Sequence, residues 1–323
     1  MARALAGRVA HAVSVLFAIS VLVFLIFFAT PGADPAARLA GRGASPATLA
    51  AIHTEFGLGQ PLPVQYARLM RRLFITQDLA SSANRGQRVV PAILHAAPVT
   101  LSLAIGAAIL WLVAGLGAGL LAAALPGSLI DRLVVTLGLL GLSIPVFWLG
   151  EVVNLVTQSR FHDTWLFRWV PPLGYQPLAA APLAWFKALL LPWATLALLY
   201  AGLYGRVLRA SLLDAYDRDY IRTARAKGLG ETYILLRHAL RTSLLTVVAL
   251  FGLDFGALVG GGTLLTEVVF GLRGVGKLTF DALQNLDLPL VMATVTYSSF
   301  FVVIANAAVD FAQIALDPRL RAD

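Results

Sequence analysis

The chain has 323 residues and a formal net charge of +8; 59% of its residues are hydrophobic and 13% charged, against about 25% charged in soluble domains. The apolar residues cluster into runs, which argues against a soluble two-domain protein and fits a polytopic membrane bundle. With no cysteine there is no disulfide framework or thiolate metal site, and the basic residues lie between apolar runs, so a nucleic-acid surface is rejected.

Residues 9–33 contain no Asp, Glu, Lys or Arg, and Arg3 and Arg8 precede them. A secretory signal shares this plan, but its apolar part is only about 7–15 residues long. A bilayer span needs about 20, so the run is read as a retained first span over 9–29. Residues 30–96 form a polar insert rich in Pro, Gly and Ala. Loops this long rarely lack structure, and short helices are expected over 46–55 and 62–74.

From residue 89 to 130 there is no formal charge for 42 residues, which predicts a second span over 97–124. Gly115 and Gly119 within it have the small-xxx-small spacing that permits close helix packing in lipid. Leu125-Pro-Gly-Ser128 reads as a turn. A third span over 130–157 is expected to kink at Pro145 and carries Glu151. Residues 158–186 hold Trp165, Trp169, Tyr175 and Trp185, a composition suited to a membrane–water interface. The fourth span covers 187–208, with Pro192 expected to break its first turn.

A fifth span is predicted over 243–269, with Gly252, Gly256 and Gly260 at small-xxx-small spacing and Asp254 among them. A sixth is predicted over 289–315, with 270–288 as an outside loop. With the N-terminus in the cytoplasm, six crossings put 13 Lys and Arg inside and five in the two short outer loops. The long insert holds the other seven, but positive-inside counting applies to loops of up to about 60 residues. Charge therefore favours cytoplasmic termini.

The stretch Asp219 to Gly230 lies between the fourth and fifth spans and is dense in charge. Asp219 is the expected N-cap of a two-turn helix and Gly228 its C′ stop, with Lys227 just before it. Ile221, Ala224 and Gly228 fall on one side, where small residues would let a partner approach closely. A solvated basic loop that merely fixes topology fits the same spacing.

Tyr220-Ile-Arg-Thr-Ala-Arg-Ala-Lys-Gly-Leu229, followed by Arg237-His-Ala-Leu-Arg241, resembles the cytoplasmic coupling loop of ABC-importer permeases, in the version of the oligopeptide and dipeptide permeases. Phe56-Gly-Leu-Gly-Gln-Pro-Leu-Pro-Val-Gln-Tyr66 resembles the same family's entry to the insert. Where the family usually has Gly-Asp-Leu-Gly before a Ser, this chain has Gln77-Asp-Leu-Ala-Ser81. Glu267-Val-Val-Phe270, Gly274-Val-Gly276, Ala282, Asp287 and Pro289 resemble the pattern between the last two spans, with Arg273 in place of the usual Pro. Asn306, Asp310 and Asp317-Pro-Arg319 continue the match, and Thr246 stands where Pro is common.

The resemblance implies an all-α protein with six transmembrane helices, an extracytoplasmic insert after the first and a cytoplasmic coupling helix between the fourth and fifth. The regions would be 1–29 as N-terminus and first span, 30–96 as insert, and 97–323 as permease core with the coupling loop at 209–242. It implies a non-catalytic, multi-pass subunit of a bacterial inner membrane with both termini in the cytoplasm. Its partners would be a second homologous permease forming a heterodimer, two cytoplasmic ATPases and an extracytoplasmic substrate-binding protein, all around a lipid bilayer. ATP and Mg would be bound by the ATPases, with no cofactor in this chain. Tyr220, Ile221, Thr223, Ala224, Arg225, Ala226, Lys227, Gly228 and Leu229 would form the ATPase-coupling lever, and the 219–229 helix would drive alternating access. The substrates implied first are oligopeptides or dipeptides, with nickel and other small solutes behind them.

Gly271-Leu-Arg-Gly-Val-Gly-Lys277 fits the start of a phosphate-binding loop, but Leu278 stands where Ser or Thr must hold Mg²⁺, so ATP binding here is rejected. Glu151, Asp254 and, near a span end, Asp310 are acids inside predicted spans, and an Asp at a helix centre costs about 2.5–3.5 kcal/mol. They are expected to face a cavity or a polar partner. Glu151 and Asp254 could line the translocation path, or they could hold helices together. Read as proton-coupling groups, they would instead make an ion-coupled secondary transporter, although no inverted repeat is visible. A scaffold protein would need no path at all. No catalytic constellation and no metal-ligand spacing is found.

Overall fold

The computed structural model describes residues 2–29, 34–40, 45–84 and 86–316. The tail Asp317-Pro-Arg319 and the side chain of Asp310 lie outside what is described. Among the described residues the regular elements are helical, and one isolated bridge joins Ala80 and Arg88. Five helices are long and apolar enough to span a bilayer, and six spans result when one bent pair counts as one. The protein is therefore an all-α, polytopic membrane protein. The chain divides into two units.

The first unit comprises Met1–Leu101, Val259–Val268 and Arg273–Ile304. Helix α1 (Ala2–Phe28) carries the first span. The insert folds into α2 (Pro35–Ala40), α3 (Pro46–Phe56) and α4 (Leu62–Met70), the last continuing as a π-turn over Arg71–Thr76. Ser45 caps α3 by accepting from the Thr48 N–H at 3.2 Å, and Gly57 ends it at φ +64°. Helices α3 and α4 fall where the sequence predicts short helices. Phe24 and Phe28 of α1 stack at 4.7 Å, and Phe56, Leu69 and Leu73 join them in one buried cluster. The Tyr66 and Ser20 hydroxyls share a hydrogen bond of 2.7 Å.

Gln77 takes φ +52°, at the position where the resembling permeases usually have Gly. The left-handed region costs a side chain about 1–2 kcal/mol, which is why glycine suits it. Asp78 accepts from the Thr76 hydroxyl at 2.7 Å and from Arg72 Nε at 3.1 Å. The Thr76 bond, and then Arg72, hold its carboxyl below the usual range. Ser81, four residues after Gln77, donates to the buried carboxylate of Asp287, which also accepts from the Ser82 N–H at 3.1 Å. This ties the insert to the start of α14 (Leu288–Leu316), the sixth span.

The second unit comprises Ser102–Leu258, Val269–Leu272 and Ala305–Asp323. Helix α5 (Val89–Ala124) is the second span; α6 (Leu129–Ser143) and α7 (Val146–Leu155) form the third, and α8 (Pro182–Tyr216) the fourth. The glycine spacing on α5 finds its partner in α8. A Cβ on Gly119 would come within 2.6 Å of the Gly205 carbonyl, and one on Gly115 within 3.0 Å of the Ala201 carbonyl. Likewise a Cβ on Gly138 of α6 would lie 2.6 Å from the Gly202 carbonyl. These helices meet backbone to backbone.

Three expectations are corrected. Pro145 breaks the third span rather than kinking it: α6 and α7 diverge by 100°. The cause is local, because a residue before proline is driven from helical to extended backbone, and Ile144 sits at φ −99°, ψ 123°. The fourth span starts at Pro182, so Pro192 lies buried within a continuous helix and breaks no first turn. The fifth span runs over Glu231–Gly262 instead of 243–269. It comprises α10 (Glu231–Ile234), a π-turn over Leu235–Ala239, and α11 (Leu240–Ala257) with a final π-turn. Gly261 at φ +143° ends it, in a conformation that glycine alone adopts readily. The loop that follows holds α12 (Leu264–Val269) and α13 (Val275–Gln284).

Candidate functional site

The charged stretch between the fourth and fifth spans forms α9 (Asp219–Ala226). Arg218, not Asp219, takes the N-cap, and Asp219 sits in the first turn, where its charge complements the helix dipole. Lys227 is the C-cap and Gly228 follows at φ +74°. The Gly228 N–H donates to the Arg225 carbonyl at 2.9 Å and the Leu229 N–H to the Ala224 carbonyl at 3.3 Å. This double closure is the glycine stop that the sequence predicts.

The helix is braced on both sides. Arg225 makes a two-point ion pair with Glu231, at 2.7 Å and 3.1 Å, and its guanidinium lies 5.4 Å above the Tyr216 ring. Tyr220 donates to the Thr242 hydroxyl at 3.3 Å. Only Asp217 and Arg218 separate α9 from α8.

The side read as partner-facing turns inward in part. Ile221 is fully buried and Ala224 is 5% exposed, both within this chain. Burial of the one large apolar side chain explains the choice. Tyr220, Thr223, Arg225, Ala226, Lys227, Gly228 and Leu229 are exposed. The surface open to another protein is thus the polar side of the helix and its glycine end.

The two intramembrane acids differ. Asp254 on α11 is half-buried and accepts from the Tyr204 hydroxyl of α8 at 3.0 Å. Tyr204 is fully buried beside Trp111, with ring centroids 5.9 Å apart. Glu151 is exposed on α7, so of the two only Asp254 has a side-chain partner among the described residues. Nothing in the local sequence marks Tyr204, 50 positions away, as that partner.

A third acid, Glu267, is visible in the sequence only as part of the family pattern. It is fully buried, accepting from the Thr100 hydroxyl at 2.7 Å, the Thr263 hydroxyl at 3.0 Å and the Lys277 N–H at 2.9 Å. The Val275 N–H donates to Thr100 at 2.8 Å. The carboxylate therefore fills the N-terminus of α13, and a Cβ on Gly274 would come within 2.5 Å of it. That helix end is where a phosphate would have to bind, so the Gly271–Lys277 resemblance to a phosphate loop is a by-product of this seat.

A bundle of apolar helices joined at glycine seams, with a braced charged helix between two candidate spans, defines a polytopic membrane protein. Two family models match: the inner membrane component of binding-protein-dependent transport systems over residues 115–322, and the N-terminal portion of such membrane components over residues 1–104. A protein named a peptide transport system permease in Brucella abortus (strain 2308) is 39% identical over 316 residues, covering 98% of each chain. One named a D,D-dipeptide transport system permease in Escherichia coli K12 is 36% identical over 323 residues, covering 95% of this chain and 94% of its own. The glutathione transport system permease of Escherichia coli O6:H1 is 33% identical over 314 residues, covering 97% of each. The chain belongs to the inner-membrane permease family of the binding-protein-dependent ABC importers. It is a multi-pass, non-catalytic membrane subunit, and membership sets aside the ion-coupled and scaffold alternatives.

Proposed function

We propose that the chain forms half of the translocation path of an ATP-driven importer of oligopeptides or dipeptides. The names of the relatives, which speak of peptides, D,D-dipeptides and glutathione, support short peptidic substrates. A second homologous permease completes the path, two cytoplasmic ATPases bind ATP and Mg, and an extracytoplasmic binding protein delivers substrate. The termini and residues 209–242 face the cytoplasm, residues 30–96 face outward, and 97–323 form the core.

The 219–229 helix couples the ATPases to the bundle. What carries this reading is the way α9 is fixed: Ile221 and Ala224 are sunk into the chain, Arg225 is locked to Glu231, and the far end is closed at Gly228. A lever must be firmly held on one side and free on the other. Thr223, Ala226, Lys227 and Leu229 supply the free side, with Tyr220 exposed beside them but tied to Thr242; Ile221 and Ala224 act by seating it. Glu151 and Asp254 face the path.

Ala226→Trp tests this, because Ala226 is exposed and the change leaves the buried side intact. The native chain should recover an ATPase from detergent-solubilised membranes, and the variant should lose it while keeping its thermal stability. Equal recovery by both would move the interface off α9.

A further inference from the structure

Helix α11 places Phe251, Asp254 and Phe255 along one side, at the i, i+3 and i+4 spacing of a helical face. The two phenyl rings stack at 5.3 Å. Helix α8 presents Tyr200 and Tyr204, one turn apart, and both lie within electrostatic range of the Asp254 carboxylate. The indole of Trp111 on α5 lies 4.5 Å from the Tyr200 ring, 5.9 Å from Tyr204 and 5.9 Å from Phe251. Trp111 and Tyr204 are buried, whereas Tyr200, Phe251 and Phe255 keep part of their surface open beside the half-buried acid. Aromatic rings from three helices thus gather at one carboxylate. Its Oδ2 accepts from the Tyr204 hydroxyl, and its Oδ1 meets no hydrogen-bond partner among the described residues. No Lys, Arg or His among the described residues pairs with it. Asp254 lies within the span segment Glu231–Gly262, where a carboxylate without a counter-charge is costly.

We propose that Asp254 and the rings beside it bind the α-ammonium group of the transported peptide. This rests on the reading that Asp254 faces the path of a peptide importer, and it adds the chemical group recognised there. An organic ammonium suits both parts of the site. Its charge is the one the acid lacks, and its N–H groups can donate to the open Oδ1. The negative faces of aromatic rings attract the same cation, more strongly where water is excluded. Other occupants use less of what is present. A hard metal ion takes about six oxygen ligands, and here one carboxylate and one phenol converge. An anion would be repelled by the acid, and a bare proton would leave the rings without a part.

The chain has no cysteine, and Ala257, one turn after Asp254, is exposed, so Ala257→Cys sets a single thiol beside the acid. In membranes carrying the full-length chain with its partner subunits, two methanethiosulfonate reagents would be compared, one bearing a trimethylammonium and one a sulfonate. Labelling would be read by mass on the recovered chain and corrected for each reagent's rate with a free thiol in solution. The ammonium reagent should react about tenfold faster, as charge focused between low-dielectric walls requires. Adding Asp254→Asn, which keeps an acceptor for Tyr204, should remove that preference. With Asp254 in place, millimolar alanyl-alanine should slow the labelling and N-acetyl-alanyl-alanine should not, a comparison that stands even if the Asn variant fails to fold. Equal corrected rates, or a preference that survives Asp254→Asn, would overturn the proposal and leave the importer reading untouched. Equal slowing by both dipeptides would show a peptide path that ignores the amino terminus, and would overturn it likewise. Slowing by ethylammonium but by neither dipeptide would uphold the cation site and overturn peptides as its ligand, which is a failure of the substrate reading.

Discussion

The carboxylate of Glu267 accepts the backbone N–H of Lys277 at 2.9 Å, closing a buried turn in which two threonine hydroxyls and the start of α13 converge. Glu267→Ala would leave those donors without an acceptor, and destabilisation of about 2–4 kcal/mol is expected. Glu267→Gln, which keeps one acceptor oxygen, should cost less. Thermal unfolding in detergent, followed by tryptophan fluorescence, reads the difference. An alanine variant as stable as the native chain would show that the network adds nothing.

Asp131 of α6 and Arg209 of α8 form a two-point ion pair, with Nη2 to Oδ2 at 2.8 Å, and Asp131 also accepts from the Gly127 N–H at 2.9 Å. Arg209 retains partial exposure, so Arg209→Met should lower the thermal unfolding midpoint without preventing folding. A double-mutant cycle with Asp131→Asn should show that the two losses are not additive. Additive losses would remove the pair from the account of how these helices are held.

Gly138 and Gly202 touch through their backbones, and a Cβ on Gly202 would lie 2.7 Å from the Gly138 Cα. Leucine at either position must push α6 and α8 apart, at a cost of about 1–3 kcal/mol or more. Gly117 on α5 meets nothing within 4 Å, and Gly117→Leu should be tolerated. Parallel stability measurements on the two variants check the seam, and equal losses would argue against it.

Gly228→Ala adds a Cβ that meets nothing within 4 Å, so its effect is confined to the backbone at φ +74°. A strain of about 1 kcal/mol should fray the end of α9. Under the coupling reading, uptake should fall roughly fivefold while ATP hydrolysis by the isolated ATPase stays unchanged. Unaltered uptake would mean that the glycine stop is dispensable.

Asp254→Asn keeps an acceptor for the Tyr204 hydroxyl but removes the charge, whereas Tyr204→Phe removes the bond and leaves the acid. If the acid lines the path, the first change should lower uptake several-fold with the assembled complex intact. Loss of stability from the second, without a transport defect in the first, would assign the pair to holding α8 and α11 together.

Long charge-free runs make the spans legible, since a bilayer admits little else at that length. Two of the insert helices are legible because a loop of that length rarely lacks structure, whereas α2 (Pro35–Ala40) has no counterpart in the sequence reading; Gly228 is legible from its place after a lysine. The direction in which a side faces is not legible. The spacing of Ile221, Ala224 and Gly228 reveals a distinct side, yet the same pattern serves burial in the chain's own body or against a partner. Pro192 is misjudged when the start of α8 is placed too late: with Pro182 as the first residue, Pro192 falls into the interior of the span. The pairs Ser81–Asp287 and Thr100–Glu267 join residues 206 and 167 positions apart, distances over which no local periodicity carries information.

Helix α8 meets α5 at Gly119–Gly205, α6 at Gly138–Gly202 and α11 at Tyr204–Asp254, and then reaches α9 through only two residues. Mechanically it is a mast with its rigging at full tension. The backbone seams to α5 and α6 have no long side chains to act as springs, so the compliance that usually dissipates small displacements inside a protein is missing there, whereas the link to α11 runs through the Tyr204 side chain. A shift imposed at α9 would therefore reach two other spans with little loss of stroke, whatever partner supplies the force.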